Sequence, residues 1–340
     1  MGGVTSGGAV KKYTLKKVET GLRVIQPGKF RIDYRNELNA SQYEAVSSVN
    51  GPHLIIAGAG TGKTRTIVYR VAYLVELGVK PEHILLLTFT RKAAQEMLRR
   101  AAILLDDRCE KVGGGTFHSF ANLSLRKYAA LLGYDTNFTI LDQGDSQDVL
   151  NLIRTRLKHD TAKRRFPRKE TLHDLYSRSV NTMTPLSAIL EEDYPHYAEL
   201  ADEIRNIIAL YGEYKRANNL MDYDDLLVNL ARLLGEHPDV REALSRRYRY
   251  IMVDEYQDTN RLQAEIVGHL ASSHGNVMVV GDDAQSIYSF RGATIRNILE
   301  FPDTFPDCRV IKLEENYRST QAILNVANAL MGRSPAESGH

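Results

Sequence analysis

Residues 57–64 read AGAGTGKT, between an apolar run and a helical pattern. A helix that opens after a glycine-rich turn presents unpaired N–H groups and the positive end of its dipole, a setting for phosphate. Gly58, Gly60 and Gly62 let the backbone wrap closely, with Ala59 and Thr61 between them. Lys63 can reach β- and γ-phosphates, and the Thr64 hydroxyl can ligate Mg²⁺. The usual pattern has glycine where this chain has Ala57, a small residue that leaves the turn feasible. A second chemistry stands in IMVDEYQD (251–258). Asp254, ending an apolar run, suits the coordination shell of Mg²⁺, and the adjacent Glu255 suits a general base that polarises the attacking water. A third stands in GDDAQSIYSFRGA (281–293), where two carboxylates and Gln285 precede Tyr288, Phe290 and Arg291. Groups suited to phosphate and groups suited to stacking thus share one short loop.

These residues lie at the ends of apolar runs: HLIIAG (53–58), ILLLTFT (84–90), IMVDE (251–255) and VMVVGD (277–282), with weaker runs at VGGGTFHS (112–119) and RVIKLEENY (309–317). Helical patterns such as KTRTIVYRVAYLVELG separate several of them. Continuous apolar strands alternating with helices predict an α/β fold with a parallel sheet covered on both faces. Ligands of such sheets bind beyond the carboxyl ends of the strands, where these motifs fall. Ser41 and Glu44 stand at capping-box spacing and predict a helix start within LNASQYEAV. From about 120 to 220 the strand signal disappears and helical periodicity takes over. The expected organisation is an N-terminal tail or added strand over 1–37, a discontinuous core over 38–119 and 220–330, and an inserted helical subdomain over 120–219.

The 340 residues are 43% hydrophobic, enough for more than one core, and the net charge is only +2. Any nucleic-acid site must therefore be a local patch. Cys109 and Cys308 are isolated, which argues against zinc, iron–sulfur and disulfide frameworks and fits a reducing cytoplasm. No apolar run approaches the roughly 18 residues of a membrane span. Gly2 and Ser6 meet a loose myristoylation pattern, but a flexible glycine-rich tail is the better reading.

Seven motifs in order carry a resemblance: AGAGTGKT, TFTRKAA (88–94), GTFHSF (115–120), DYDDLL (222–227), VDEYQD (253–258), VGDDAQSIYSFRGA (280–293) and ENYRST (315–320). Together they resemble the UvrD/Rep/PcrA group of superfamily 1 DNA helicases, from about Leu38 to Leu330. The resemblance implies a RecA-like core and an ATP- and Mg²⁺-dependent motor moving 3′ to 5′ on single-stranded DNA, working at single-strand/duplex junctions. It implies that Gln42 reads the adenine edge, Tyr317 stacks on adenine, Arg318 meets the γ-phosphate, Arg65 sits near the nucleotide and Gln285 senses the γ-phosphate. It implies DNA contacts for Phe89, Thr90, His118, Tyr288, Phe290 and Arg291. Stacking tolerates any base, so it suits a motor better than base-edge readout does. Many relatives carry Trp where this chain has Phe290, and the chain has no Trp.

The family's second RecA-like core would be a necessary partner, and its motifs do not follow ENYRST in this chain. The expectation is an N-terminal portion that binds ATP, turns it over slowly and unwinds nothing alone. A RecB/AddA-like helicase–nuclease motor and a non-catalytic ATP- or DNA-binding module are the alternatives. The basic stretch RTRLKHDTAKRRFPRKE (154–170) could contact duplex phosphates or be a solvated helical face.

Overall fold

The computed structural model describes residues 30–157, 166–282 and 296–318. Six parallel strands form its main sheet: β1 (His53–Ala57), β2 (Ile84–Thr88), β3 (Gly113–Thr116), β6 (Tyr250–Val253), β7 (Val277–Gly281) and β8 (Arg309–Leu313), in the order β3-β2-β6-β7-β1-β8. The inner strands are apolar at nearly every position because both faces are covered. Alternation divides their side chains between the faces. Leu85, Leu87, Ile251, Val253, Val277 and Val279 join one cluster, with α5 (Phe117–Tyr128), α10 (Tyr223–Glu236) and α12 (Arg261–Ala271). Ile84, Leu86, Tyr250, Met252, Met278 and Val280 join the other, with α3 (Lys63–Glu76) and α4 (Arg91–Leu104). The architecture is the expected α/β parallel-sheet core. Because all six strands run the same way, their carboxyl ends share one rim.

The helical segment has its own core. Leu150, Leu172, Leu175, Leu190, Ile204, Ile207 and Tyr211 come from α6 (Gln143–Arg156), α7 (Lys169–Thr182), α8 (Leu186–Asp193) and α9 (Ala201–Ala217). The chain enters and leaves this unit through two short strands the sequence did not reveal, β4 (Thr139–Ile140) and β5 (Leu220–Met221), paired in parallel. Two residues are too few to show a period. Helix α5 packs with the sheet, so the packing boundary falls near β4 rather than at residue 120.

Two local expectations shift. Helix α2 (Ala40–Ser47) is capped by Asn39, whose side chain accepts from the Gln42 N–H while Gln42 accepts from the Asn39 N–H; Ser41 and Glu44 do not form the box. The last residues assigned to the tail instead pack: Phe30, Ile32 and Tyr34 lie against Tyr69, Ala72 and Tyr73, beside the short helix α1 (Tyr34–Glu37). Among the described residues no helix is long and apolar enough to cross a membrane.

Candidate functional site

The turn between β1 and α3 is built for close approach. Gly60 has φ +85°, and a Cβ there would lie 2.6 Å from Arg318 Cβ. A Cβ at Gly62 would meet Gln42 Nε2 at 2.6 Å. Both glycines therefore let other segments close on the turn. From one side, Gln42 donates to the Thr61 carbonyl at 3.1 Å. The buried Arg70 guanidinium fixes the helix that carries Gln42, donating to the Ala45 and Ser48 carbonyls. From the other side, the segment after β8 docks: Tyr317 N–H donates to Gly60 O at 2.9 Å, and Asn316 Nδ2 donates to Ala59 O at 2.7 Å. Asn316 Oδ1 accepts from the Arg318 N–H at 2.9 Å.

Lys63 begins α3 and points across the rim. Its ammonium lies 3.2 Å from Glu255 Oε2 and 3.7 Å from Asp282 Oδ2. Gln257 braces this arrangement: its Nε2 donates to Glu255 Oε2 at 2.6 Å and its Oε1 accepts from the Asp282 N–H at 3.1 Å. Glu255 has φ +50°, a left-handed conformation that a non-glycine residue holds only when its surroundings impose it. Asp254 is buried, and its Oδ1 has no hydrogen-bond partner. Burial first, and then the neighbouring Glu255 charge, push its carboxyl up to about 7. Asp254 and Thr64 line the same cavity, together with Glu255, Gln257 and Asp258. Among the described residues no group of three or more His, Cys, Asp or Glu is set to hold a metal ion. An unsatisfied carboxyl oxygen and one hydroxyl lining the same cavity fit Mg²⁺, which takes few protein ligands and completes its shell with phosphate and water.

The remaining predicted residues distribute as follows. Tyr317 is exposed at the turn, its hydroxyl donating to Glu315 at 2.6 Å and accepting from Asn39 Nδ2 at 2.8 Å. Arg65 donates to the Glu37 carbonyl at 2.8 Å and lies 4.8 Å over the Tyr69 ring, whose hydroxyl bonds the Glu37 carboxylate. Gln42, Arg65 and Tyr317 thus gather around the turn, and Arg318 is exposed beside it. Phe89 is 55% exposed at the end of β2, and Thr90 caps α4 by accepting from the Ala93 N–H. His118, half-buried, meets Tyr223 edge-on at 6.1 Å. Phe89 and His118 line a second cavity with Phe117, Asp254, Glu255 and Asn260. Gln285, Tyr288, Phe290 and Arg291 lie outside the described residues, as do Lys158, Lys163, Arg164 and Arg165 of the basic stretch. Within that stretch Lys169 is paired with Asp148 at 2.6 Å and Arg154 donates to Pro167 O at 3.1 Å, so both are engaged inside the helical unit.

Asn39, Gln257 and Asn316 carry no role in the motifs as read from sequence, and Asp282 stands there only as one of two carboxylates. Gln257, Asp282 and Asn316 stand inside quoted motifs, so the signal available was a polar residue beside a named one. Each has a partner distant in sequence: Gln257 bonds Asp282, Asp282 faces Lys63, and Asn316 bonds Ala59.

The UvrD/REP helicase N-terminal domain family matches residues 38–306. The chain is 40% identical over 300 residues to the ATP-dependent DNA helicase PcrA of Staphylococcus aureus (strain Mu50), covering 87% of this chain and 40% of that protein. It is 39% identical over 298 residues to the ATP-dependent DNA helicase PcrA of Staphylococcus epidermidis (strain ATCC 12228), covering 86% and 40%. The chain therefore spans about two fifths of the length of these curated relatives.

Proposed function

This chain belongs to the UvrD/REP helicase family, and we propose that it supplies the ATP-binding and DNA-contacting part of an ATP-dependent helicase working 3′ to 5′ on single-stranded DNA. One observation carries the reading. The cavity containing Thr64 and the cavity containing His118 share Thr88, Phe89, Asp254, Glu255 and Asp258 as lining. The carboxylates placed for fuel chemistry are thus also a wall of the surface placed for the track.

In this reading Lys63 exchanges its carboxylate partners for the β- and γ-phosphates of ATP. Glu255, released from Lys63 but still held by Gln257, orients water and accepts its proton. Gln42, Arg65 and Tyr317 hold the adenine, and the exposed Arg318 guanidinium meets the γ-phosphate. Asp254 Oδ1 and the Thr64 hydroxyl would hold Mg²⁺, which neutralises phosphate charge as the terminal group departs. Phe89 and His118 receive the single strand near its junction with duplex; Thr90 lies beside them at the start of α4. The direction of travel rests on the family resemblance. Two free cysteines, one buried and one half-buried, accord with a cytoplasmic setting.

The test is titration of a fluorescent ATP analogue with Mg²⁺ into the chain and its Lys63→Ala variant. Wild type should saturate. The variant should bind at least about tenfold more weakly, since each lost charge-assisted contact costs about 1.5–3 kcal/mol. Equal affinity in the two proteins would overturn the assignment. Unwinding by a protein that joins this chain to a second RecA-like core, if it requires a 5′ rather than a 3′ single-stranded tail, would overturn the direction.

A further inference from the structure

A buried polar network lies away from the glycine-rich turn, at the root of the helical unit. Lys215 on α9 is fully buried, its ammonium 2.6 Å from Asp222 Oδ2 and 2.7 Å from Asp225 Oδ2. Tyr211 donates to Asp222 at 2.8 Å, and Tyr176 on α7 donates to Asp225 at 3.1 Å. Five residues further along α7, Asn181 donates to Asp224 at 2.8 Å. Helix α7 is therefore fastened at two points to the opening turn of α10, which packs on the sheet.

Asn181 also faces forward. Its Oδ1 accepts from Asn260 Nδ2 at 2.7 Å, and both side chains are buried. Asn260 caps α12, its Oδ1 accepting from the Gln263 N–H at 2.9 Å. Two residues before Asn260 ends the tight turn Tyr256–Asp258, which leads directly out of the left-handed Glu255. Asn181 thus brings the helical unit to the wall of the cavity shared by Phe89, His118, Asp254 and Glu255. No water-exposed substitute exists for a buried amide pair, so a shift of α7 must either break it or carry the α12 cap along.

We propose that Asn181 is a positioning residue: through its bond to Asn260 it transmits the placement of the helical unit to the Glu255 turn and so couples DNA binding to nucleotide binding. This rests on the proposed function above. Coupling between two sites is reciprocal and is measured as a ratio of affinities, which a uniform loss of folded protein or of either ligand's grip does not alter.

The experiment is fluorescence anisotropy of a labelled oligodeoxythymidylate on this chain, with and without a non-hydrolysable ATP analogue and Mg²⁺. Wild type should show the two DNA affinities differing by about fivefold or more. Asn181→Ala should bring the ratio within about twofold of one, as should Asn260→Ser, which keeps a capping oxygen but loses the amide donor. The double variant should add nothing beyond Asn181→Ala, which already removes the bond to Asn260 together with the bond to Asp224. Unchanged ratios in the single variants, or additive losses in the double, overturn the inference. A wild type that binds both ligands without coupling overturns it alone. A wild type that binds neither overturns the functional reading beneath it as well.

Discussion

Lys63 Nζ and Glu255 Oε2 lie 3.2 Å apart, joining the start of α3 to the second residue after β6. The lysine is largely buried, 11% exposed, and its partner is more open at 36%. The pair holds the ammonium against a carboxylate, which in the proposed function gives way to phosphate.

Glu255→Gln should separate binding from chemistry. It removes the anion competing for Lys63 and leaves a side chain that cannot take a proton. Affinity for an ATP analogue should be kept or increased, while phosphate release falls by about 10²–10⁴. Paired measurement of nucleotide affinity and turnover checks this; a parallel fall in both would place Glu255 in binding instead.

Asp254 makes stability depend on pH. A carboxyl raised to about 7 in the folded chain keeps its proton over a range where the unfolded chain has lost it. The folded state then binds more protons, so stability falls as pH rises from about 4 through 7. Asp258 is shifted the same way, by burial and then by Glu255. Asp254→Asn should make the nucleotide-free chain more stable at pH 8, by about 2–4 kcal/mol, with the advantage shrinking toward pH 4. Urea unfolding across pH reads this directly, and a gain that persists at pH 4 would contradict it.

Gly60 and Gly133 offer a matched comparison. Both have positive φ, +85° and +80°, but a Cβ at Gly133 meets nothing within 4 Å, whereas one at Gly60 meets Arg318 Cβ and the Asn316 amide. Alanine at Gly133 should cost only backbone strain, about 1 kcal/mol. Alanine at Gly60 should cost more, about 2–3 kcal/mol, and should weaken ATP-analogue binding by undocking the Tyr317 segment. Thermal melting and nucleotide titration of both variants check it. Equal costs would mean that the segment after β8 does not bear on the turn.

Phe89→Ala tests the track surface. The ring is 55% exposed, so the folded chain should lose little stability. Affinity for single-stranded oligonucleotide should drop by about 1–3 kcal/mol, with little dependence on sequence. Anisotropy with oligothymidine and oligoadenine checks both statements.

The strands Ile84–Thr88 and Val277–Gly281 were legible because a parallel strand buried on both faces is apolar throughout and cannot be mistaken for a surface segment. The helix at Ala40–Ser47 was legible as a helix, but its cap was not. Asn39–Gln42 and Ser41–Glu44 both satisfy the spacing, and the choice goes to the pair whose Gln42 can also bond Thr61 on a distant turn. The burial of Phe30, Ile32 and Tyr34 could not be read, because their partners Tyr69, Ala72 and Tyr73 lie on α3, beyond local pattern.

Residue type and spacing alone determined that this chain carries a glycine-rich turn ahead of a lysine, a carboxylate pair and aromatic side chains at strand ends, since those features are local and chemical. Only the tertiary structure decided which groups meet. The strand order sets β6 and β7 between β2 and β1, and that adjacency puts Glu255 and Asp282 against Lys63, and Gln257 between the two. The same folding brings Asn181 from the helical unit to Asn260. Hydrogen bonds and ion pairs act over a few ångströms, and no one-dimensional spacing encodes which distant residues will come that close.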